Sequence, residues 1–135
     1  MTDCVFEVHS GMYDEPFYAS GSYDESGDFI KYMWREKHSE KEEMSDFSLT
    51  LDKRTKVASV TRNGDINSIM NFDPENDTRG ALNTAWGIID VKITTHYVNI
   101  PNALTNAVEI SYTIDPGSTE PVKNTFLIKR LLQSV

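Results

Sequence analysis

The segment Gly87-Ile88-Ile89-Asp90-Val91-Lys92-Ile93-Thr94-Thr95-His96-Tyr97-Val98-Asn99 decides the fold. Apolar and polar side chains alternate along most of it, which is typical of a half-buried antiparallel strand. The alternation places one set of side chains on one face of the strand, namely Ile89, Val91, Ile93 and Tyr97, and another on the opposite face, namely Asp90, Lys92, Thr94 and His96. Strands usually run to about 5–6 residues, so a strand of this length must bend across a corner or wrap around a barrel.

Shorter alternating runs fill the rest of the chain, at residues 5–10, 17–23, 29–37, 44–51, 57–62, 66–72, 79–85, 107–115 and 122–131. Turn-forming residues separate them: Asn63-Gly64-Asp65 is a hairpin signal, because Asn and Gly tolerate a positive φ. Residues 35–45 contain good helix formers but no apolar stripe, so we predict a charged loop or one short turn there. The pattern therefore predicts about ten strands that pair antiparallel with their sequence neighbours.

Ten antiparallel strands must protect their edges, and closing the sheet into an up-and-down barrel removes the edges altogether. We therefore predict an all-β antiparallel barrel of about 8–10 strands, with a β-sandwich as the alternative. The predicted inward side chains are those of Tyr32, Trp34, Leu49, Leu51, Val60, Met70, Phe72, Ile89, Val91, Ile93, Val108, Ile110, Tyr112, Ile114, Phe126 and Ile128.

The chain has 135 residues, which fits a single domain spanning residues 1–135 with a core that needs no cross-links. Its one cysteine, Cys4, excludes an internal disulfide. The sequence contains neither a secretory leader nor a long apolar run, so we expect a cytosolic protein without a membrane span.

The net charge of −8 is unevenly distributed. Residues 1–48 carry twelve acidic and four basic side chains, whereas residues 49–135 carry nine of each. An acidic surface repels phosphate backbones, so nucleic-acid binding is disfavoured. We interpret the acidic N-terminal third primarily as a solubilising surface, and alternatively as a face that docks a basic partner.

Three segments together resemble the YwiB-like family, a bacterial domain of unknown function. Residues 62–72, RNGDINSIMNF, resemble that family's Arg-x-Gly…Ser-x-Met-x-Phe hairpin, and residues 84–89, TAWGII, resemble its Thr-Pro-Tyr-Gly-x-Leu corner. Residues 110–112 and 124–128 resemble its last two strands. The corner departs from the family pattern at Ala85 and Trp86. The resemblance implies a calycin-type, lipocalin-like β-barrel and brings no activity, substrate or catalytic residue with it.

Catalytic and metal-binding patterns are absent from the sequence. His9, His38 and His96 show no metal-ligand spacing, and the carboxylates of residues 73–77 lack the later Gly and Glu of a calcium loop. No nucleophile elbow, phosphate-binding loop or dinucleotide fingerprint occurs. We therefore expect no metal, no cofactor and no enzymatic activity.

Polar side chains on inward-facing positions are the remaining candidates for a site. Arg62, Ser68, Tyr112 and Asn124 are predicted polar contacts, and Trp34 and Phe126 are predicted apolar walls. Inward polar groups must be satisfied by one another, by water or by a ligand.

Two functions follow from these residues. The first is a non-enzymatic barrel that binds a small amphipathic or apolar molecule, and Arg62 would meet the anionic head group of an amphipathic one. The second is an interaction or structural module with a solid-packed barrel core, which could dock a basic partner through its acidic N-terminal third. Chemistry at the barrel mouth is the weakest alternative, because no acid–base pair can be named.

Overall fold

Ten β-strands make up the part of the chain that the computed structural model describes, which comprises residues 2–10, 15–37, 44–64, 67–84 and 87–131. Each strand pairs antiparallel with its sequence neighbours, and β1 pairs with β10, which closes the sheet into an up-and-down barrel as predicted. The strands are β1 (Thr2–Ser10), β2 (Phe17–Ser26), β3 (Phe29–Lys37), β4 (Met44–Asp52), β5 (Ala58–Asn63), β6 (Asn67–Phe72), β7 (Thr78–Thr84), β8 (Gly87–Asn99), β9 (Ala107–Asp115) and β10 (Val122–Leu131).

The predicted bounds of β3, β8, β9 and β10 are confirmed, and those of the other strands move by one to three residues. The charged segment at residues 35–45 is β-strand at both ends, because β3 continues to Lys37 and β4 starts at Met44. Residues 38–43 lie outside the described residues, as do Asp65 of the hairpin signal and Ala85 and Trp86 of the corner. Across the described ranges, no helix is long and apolar enough to cross a membrane.

Alternate side chains of the strands fill the barrel interior. Phe6, Leu49, Ile93, Ile110 and Ile128 are all 0% exposed, so the middle of the barrel is packed with apolar side chains. Aromatic rings extend this packing, since the ring centroid of Phe6 lies 5.5 Å from that of Tyr32 and 6.3 Å from that of Trp34, both edge-on. Edge-to-face contacts of this kind are favoured by the charge distribution of the rings.

Two side chains that the alternation places on the same face as Val91 and Ile93 are exposed in the structure. Tyr97 is 39% exposed, while its neighbour Val98 is 2% exposed. The pairing of β8 with β9 shifts register between Thr95 and Tyr97, and such a bulge moves every later side chain to the other face. The structure therefore buries Val98 in place of Tyr97, whereas Thr95, which precedes the bulge, is buried on the same face as Ile93.

Ile89 is the second error, because its side chain is 44% exposed. Its position on β8 opposes Leu82 of β7, as an inward residue should. The pairing of β8 with β9, however, begins only at Lys92 opposite Asp115. Ile89 lies before that point, so no strand flanks it on the β9 side and its inward face stays open.

Candidate functional site

All six predicted site residues lie towards the same end of the barrel. We call it the upper end, where β3, β5 and β9 finish and β4, β6 and β10 begin. Trp34 and Arg62 are close to the ends of β3 and β5, and Ser68 and Asn124 are close to the starts of β6 and β10. The up-and-down topology places these ends together, so residues distant in sequence share one rim.

The first part of the site is a row of side chains that oppose one another on neighbouring strands. Trp34 is opposite Phe47, Phe47 is opposite Arg62, and Arg62 is opposite Ser68. Residues that oppose each other across neighbouring strands point to the same face of the sheet. The row therefore places two aromatic rings, a guanidinium group and a hydroxyl side by side on the inner wall.

Aromatic stacking joins this row to the other side of the barrel. The Trp34 ring stacks on Phe47 with centroids 5.5 Å apart, and on Phe126 of β10 with centroids 6.2 Å apart. The guanidinium carbon of Arg62 lies 5.5 Å from the centre of the Phe47 ring, within the range of a cation–π contact. Phe47 and Phe126 are half-buried, whereas Trp34 is 3% exposed.

Glu36 belongs to the same cluster, although the sequence reasoning missed it. The indole N–H of Trp34 donates a hydrogen bond of 3.0 Å to a carboxylate oxygen of Glu36. Burial raises the pKa of the Glu36 carboxyl, and the Trp34 hydrogen bond and the Arg62 charge oppose that rise only in part. The sequence signal that could have identified Glu36 is its position on the same face of β3 as Tyr32 and Trp34. A shifted pKa beside a cation and aromatic rings is a feature of functional sites.

Ser45 supplies a buried hydroxyl next to Glu36. It opposes Glu36 across β3 and β4 and is 1% exposed. Its side-chain oxygen has no hydrogen-bond partner within the described part of the chain. Gly64 packs directly on it, because a Cβ at that position would collide with the Ser45 oxygen. Buried hydroxyls nearly always have a partner, so Ser45 offers a ligand an acceptor and a donor.

Tyr112 and Asn124 form a second group on the opposite wall. They oppose each other across β9 and β10 and are joined by a side-chain hydrogen bond. Burial raises the pKa of the Tyr112 hydroxyl, and the hydrogen bond from Asn124 lowers it by less. The Tyr112 ring also packs on Phe72 with centroids 4.8 Å apart. Asn124 thus orients Tyr112, and the predicted residues fall into two groups facing the upper end.

A charged cluster lies at the opposite, lower end of the barrel. The Arg130 guanidinium lies 4.0 Å over the Tyr23 ring, and the Tyr23 hydroxyl donates a 2.6 Å hydrogen bond to Glu25, which is ion-paired with Lys53. Burial, followed by the bond to Glu25, raises the pKa of Tyr23 to about 12. This network lies at the lower end, away from the six predicted site residues.

A cleft with a volume of about 800 Å³ lies on the outside of the barrel, across β1 to β5. Met33 and the hydroxyls of Ser48 and Thr61 contribute to its lining, and those two hydroxyls share a hydrogen bond of 2.5 Å. Arg35 and Asp46 form an ion pair of 2.7 Å within it. Ligand sites commonly have volumes of about 300–1,000 Å³.

Comparison with known proteins places the chain in a family. A family model described as "Domain of unknown function (DUF1934)" matches residues 12–128. The chain belongs to this family. The family match and a solved structure together confirm the predicted relation to YwiB: the crystal structure of the YwiB protein from Bacillus subtilis is similar over 97% of this chain and 93% of that chain, with a TM-score of 0.73. The two sequences are 15% identical, so the likeness concerns the fold alone.

No curated protein matches the chain. Within the described ranges, no group of three or more His, Cys, Asp or Glu side chains is placed to hold a metal ion.

Proposed function

We propose that this member of the family is a cytosolic, single-domain, non-enzymatic barrel that binds a small amphipathic molecule at its upper end. The carrying observation is the Glu36 and Arg62 pair, two ionisable side chains set among aromatic rings on the inner wall. Fixed charges beside apolar surface suit a ligand that has both a polar head and an apolar body.

The apolar body would lie against Phe47 and Phe126, because these rings are half-buried and the middle of the barrel below them is filled. An anionic head would meet the Arg62 guanidinium, which presents several N–H donors in a planar fork. Ser45 would bind the same head through its hydroxyl, for which the described residues provide no hydrogen-bond partner. On the opposite wall, Tyr112 and Asn124 would orient the ligand by hydrogen bonding, and Ser68 would add a hydroxyl beside Arg62.

A thermal-shift comparison of three amphiphiles tests the proposal. Lauric acid, its methyl ester and dodecyltrimethylammonium share an apolar chain and differ in head-group charge. A ligand present at a hundred times its dissociation constant should stabilise the fold by about 2.7 kcal/mol. We expect lauric acid, kept below its micelle concentration, to raise the melting temperature and the other two to do so less or not at all. Unchanged melting with all three, or the same rise with all three, would contradict an anion-selective site.

The packed interior and the outer cleft favour a second candidate function. A barrel with a solid core acts through its surface, and the cleft across β1 to β5 is built largely from the N-terminal third. Its charges are balanced, since Asp3 and Asp46 line the cleft together with Lys31 and Arg35. A basic partner would therefore need other acidic side chains of this third. Tighter binding of a polylysine peptide than of a polyglutamate peptide, lost at high salt, would support this module over the ligand barrel.

A further inference from the structure

The row of opposed side chains that contains Arg62 continues beyond Ser68 to a second apolar surface. Ser68 is opposite Leu82 of β7, and Leu82 is opposite Ile89 of β8. Opposed residues share a face of the sheet, so Leu82 and Ile89 lie on the same inner wall as Arg62. Leu82 is half-buried and Ile89 is 44% exposed. The row therefore carries uncovered apolar surface on both sides of its cation, with Phe47 on one side and this pair on the other.

The register separates this pair from other apolar side chains of the inner wall. Neighbouring strands are about 4.8 Å apart, so Leu82 lies about 5 Å and Ile89 about 10 Å beyond Ser68 along the row. Ile114 of β9 is also partly buried, but it opposes Ile93, which lies further along β8. The segment of strand from Ile89 to Ile93 spans about 13 Å. Leu82 and Ile89 are therefore the apolar side chains of β7 and β8 that share a row with the cation.

The position for a ligand head group lies between the two apolar surfaces. Arg62 and Ser68 oppose each other, and both side chains are only partly buried. Together they offer an anion the N–H donors of a guanidinium and one hydroxyl. Below them the barrel is filled, since Leu49 and Ile110 are 0% exposed. The apolar part of a ligand therefore cannot extend into the middle of the barrel and has to spread along the row, to either side of its head.

We propose that the ligand is a two-armed anionic amphiphile, in which one negative head group lies at the branch point of two apolar chains. One arm lies against Phe47 and Phe126, and the other lies against Leu82 and Ile89. A single chain that is attached to the head at its end covers only one of these surfaces and leaves the other in contact with water. Two arms bury both, and binding tightens with the apolar area that is removed from water. This inference rests on the proposed function, because it concerns the same site and the same cation.

Two isomeric acids test the proposal by isothermal titration calorimetry, each kept below its micelle concentration. Lauric acid carries its carboxylate at the end of one chain, whereas 2-butyloctanoic acid has the same number of carbon atoms and carries it between a butyl and a hexyl chain. We expect the branched acid to bind about tenfold more tightly or better, because it covers both apolar surfaces. Equal or weaker binding of the branched acid, with lauric acid still bound, would overturn the second arm and leave the proposed function standing. Binding of neither acid would contradict both.

Substitutions on β8 test where the second arm lies. Ile89→Ser should weaken the binding of 2-butyloctanoic acid by about tenfold and leave that of lauric acid unchanged, whereas Ile89→Leu should preserve both. Ile88→Ser is the matched control, because Ile88 projects to the outer face of the same strand, where it lines a cleft with Ile69. Leu82→Ser on β7 is a second variant and should show the same selective loss as Ile89→Ser. Equal effects of Ile88→Ser and Ile89→Ser, or equal losses for the two acids, would overturn the proposal.

Discussion

Gly80 of β7 and Ile93 of β8 provide a double-mutant test of how the barrel interior is packed. A Cβ placed on Gly80 would lie 3.0 Å from the Cδ1 atom of Ile93 and 3.0 Å from the backbone oxygen of Ile69. Ile93 is 0% exposed, so its side chain has little room to move away. Gly80→Ala should gain about 0.5–1 kcal/mol from reduced chain entropy but lose about 1–3 kcal/mol to overpacking. We expect a net loss of stability.

Ile93→Val removes the Cδ1 atom and should cost about 0.5–1.5 kcal/mol alone. In the double variant, the alanine at 80 gains the space that this atom leaves. The combined loss should therefore be smaller than the sum of the single losses by about 0.5–1 kcal/mol. Rescue should be incomplete, because the backbone oxygen of Ile69 cannot leave the β6–β7 ladder.

Urea denaturation followed by circular dichroism measures all four proteins of this cycle. Ile30→Val is the control partner, because Ile30 is 1% exposed on β3 and is not among the atoms nearest to Gly80. It should combine additively with Gly80→Ala. Losses for Gly80→Ala and Ile93→Val that add to within about 0.3 kcal/mol would refute the contact.

Three further outcomes are expected. The fold raises the pKa of Glu36, so the native state loses stability as pH rises from the ordinary glutamate range through the raised pKa. Glu36→Gln should weaken this loss and raise the urea midpoint at neutral pH. Val98→Lys should lower the free energy of unfolding by about 3 kcal/mol or more, whereas Tyr97→Lys should lower it by under about 1 kcal/mol in the same urea assay. The reverse order of these two losses would show that the bulge is misplaced. Burial, followed by the hydrogen bond to Glu25, raises the pKa of Tyr23 to about 12, so its contribution to stability is complete below the unfolded value of about 10 and is lost as pH rises through about 12. Tyr23→Phe should make alkaline unfolding shallower, and an unchanged profile would argue against the raised pKa.

Side-chain alternation was sufficient to predict the strands and most of the interior, because a half-buried strand must repeat with period two. Val91 and Ile93 are buried as that pattern requires, and Asp90 and Lys92 are exposed. The pattern failed at Tyr97, since nothing in the local sequence indicates where an extra residue will interrupt pairing with β9. It failed at Ile89 for a different reason: the end of the neighbouring strand decides whether an inward position is covered.

The candidate site was predictable only in part. Inward parity and the predicted barrel placed Arg62, Trp34 and Phe126 on the inner wall, and in the structure the rings of Trp34 and Phe126 stack on each other. Glu36 and Ser45 were missed although they have the same parity as Trp34 and Phe47. From sequence alone, a charged residue near a strand end is expected to face solvent. Whether it is buried depends on the neighbouring strand, whose residues are far away in sequence.

Fluorescence of Trp34 during a titration with lauric acid tests the proposed ligand site most directly. The chain has two tryptophans, and Trp86→Phe leaves Trp34, which contacts Phe47, Phe126 and Glu36, as the sole reporter. We predict a saturable change in emission whose dissociation constant rises by about tenfold or more in Arg62→Met and stays unchanged in Arg54→Met, which alters an exposed arginine of the β4–β5 turn. A flat titration, or equal binding by the Arg62 and Arg54 variants, would contradict a ligand site at the upper end of the barrel.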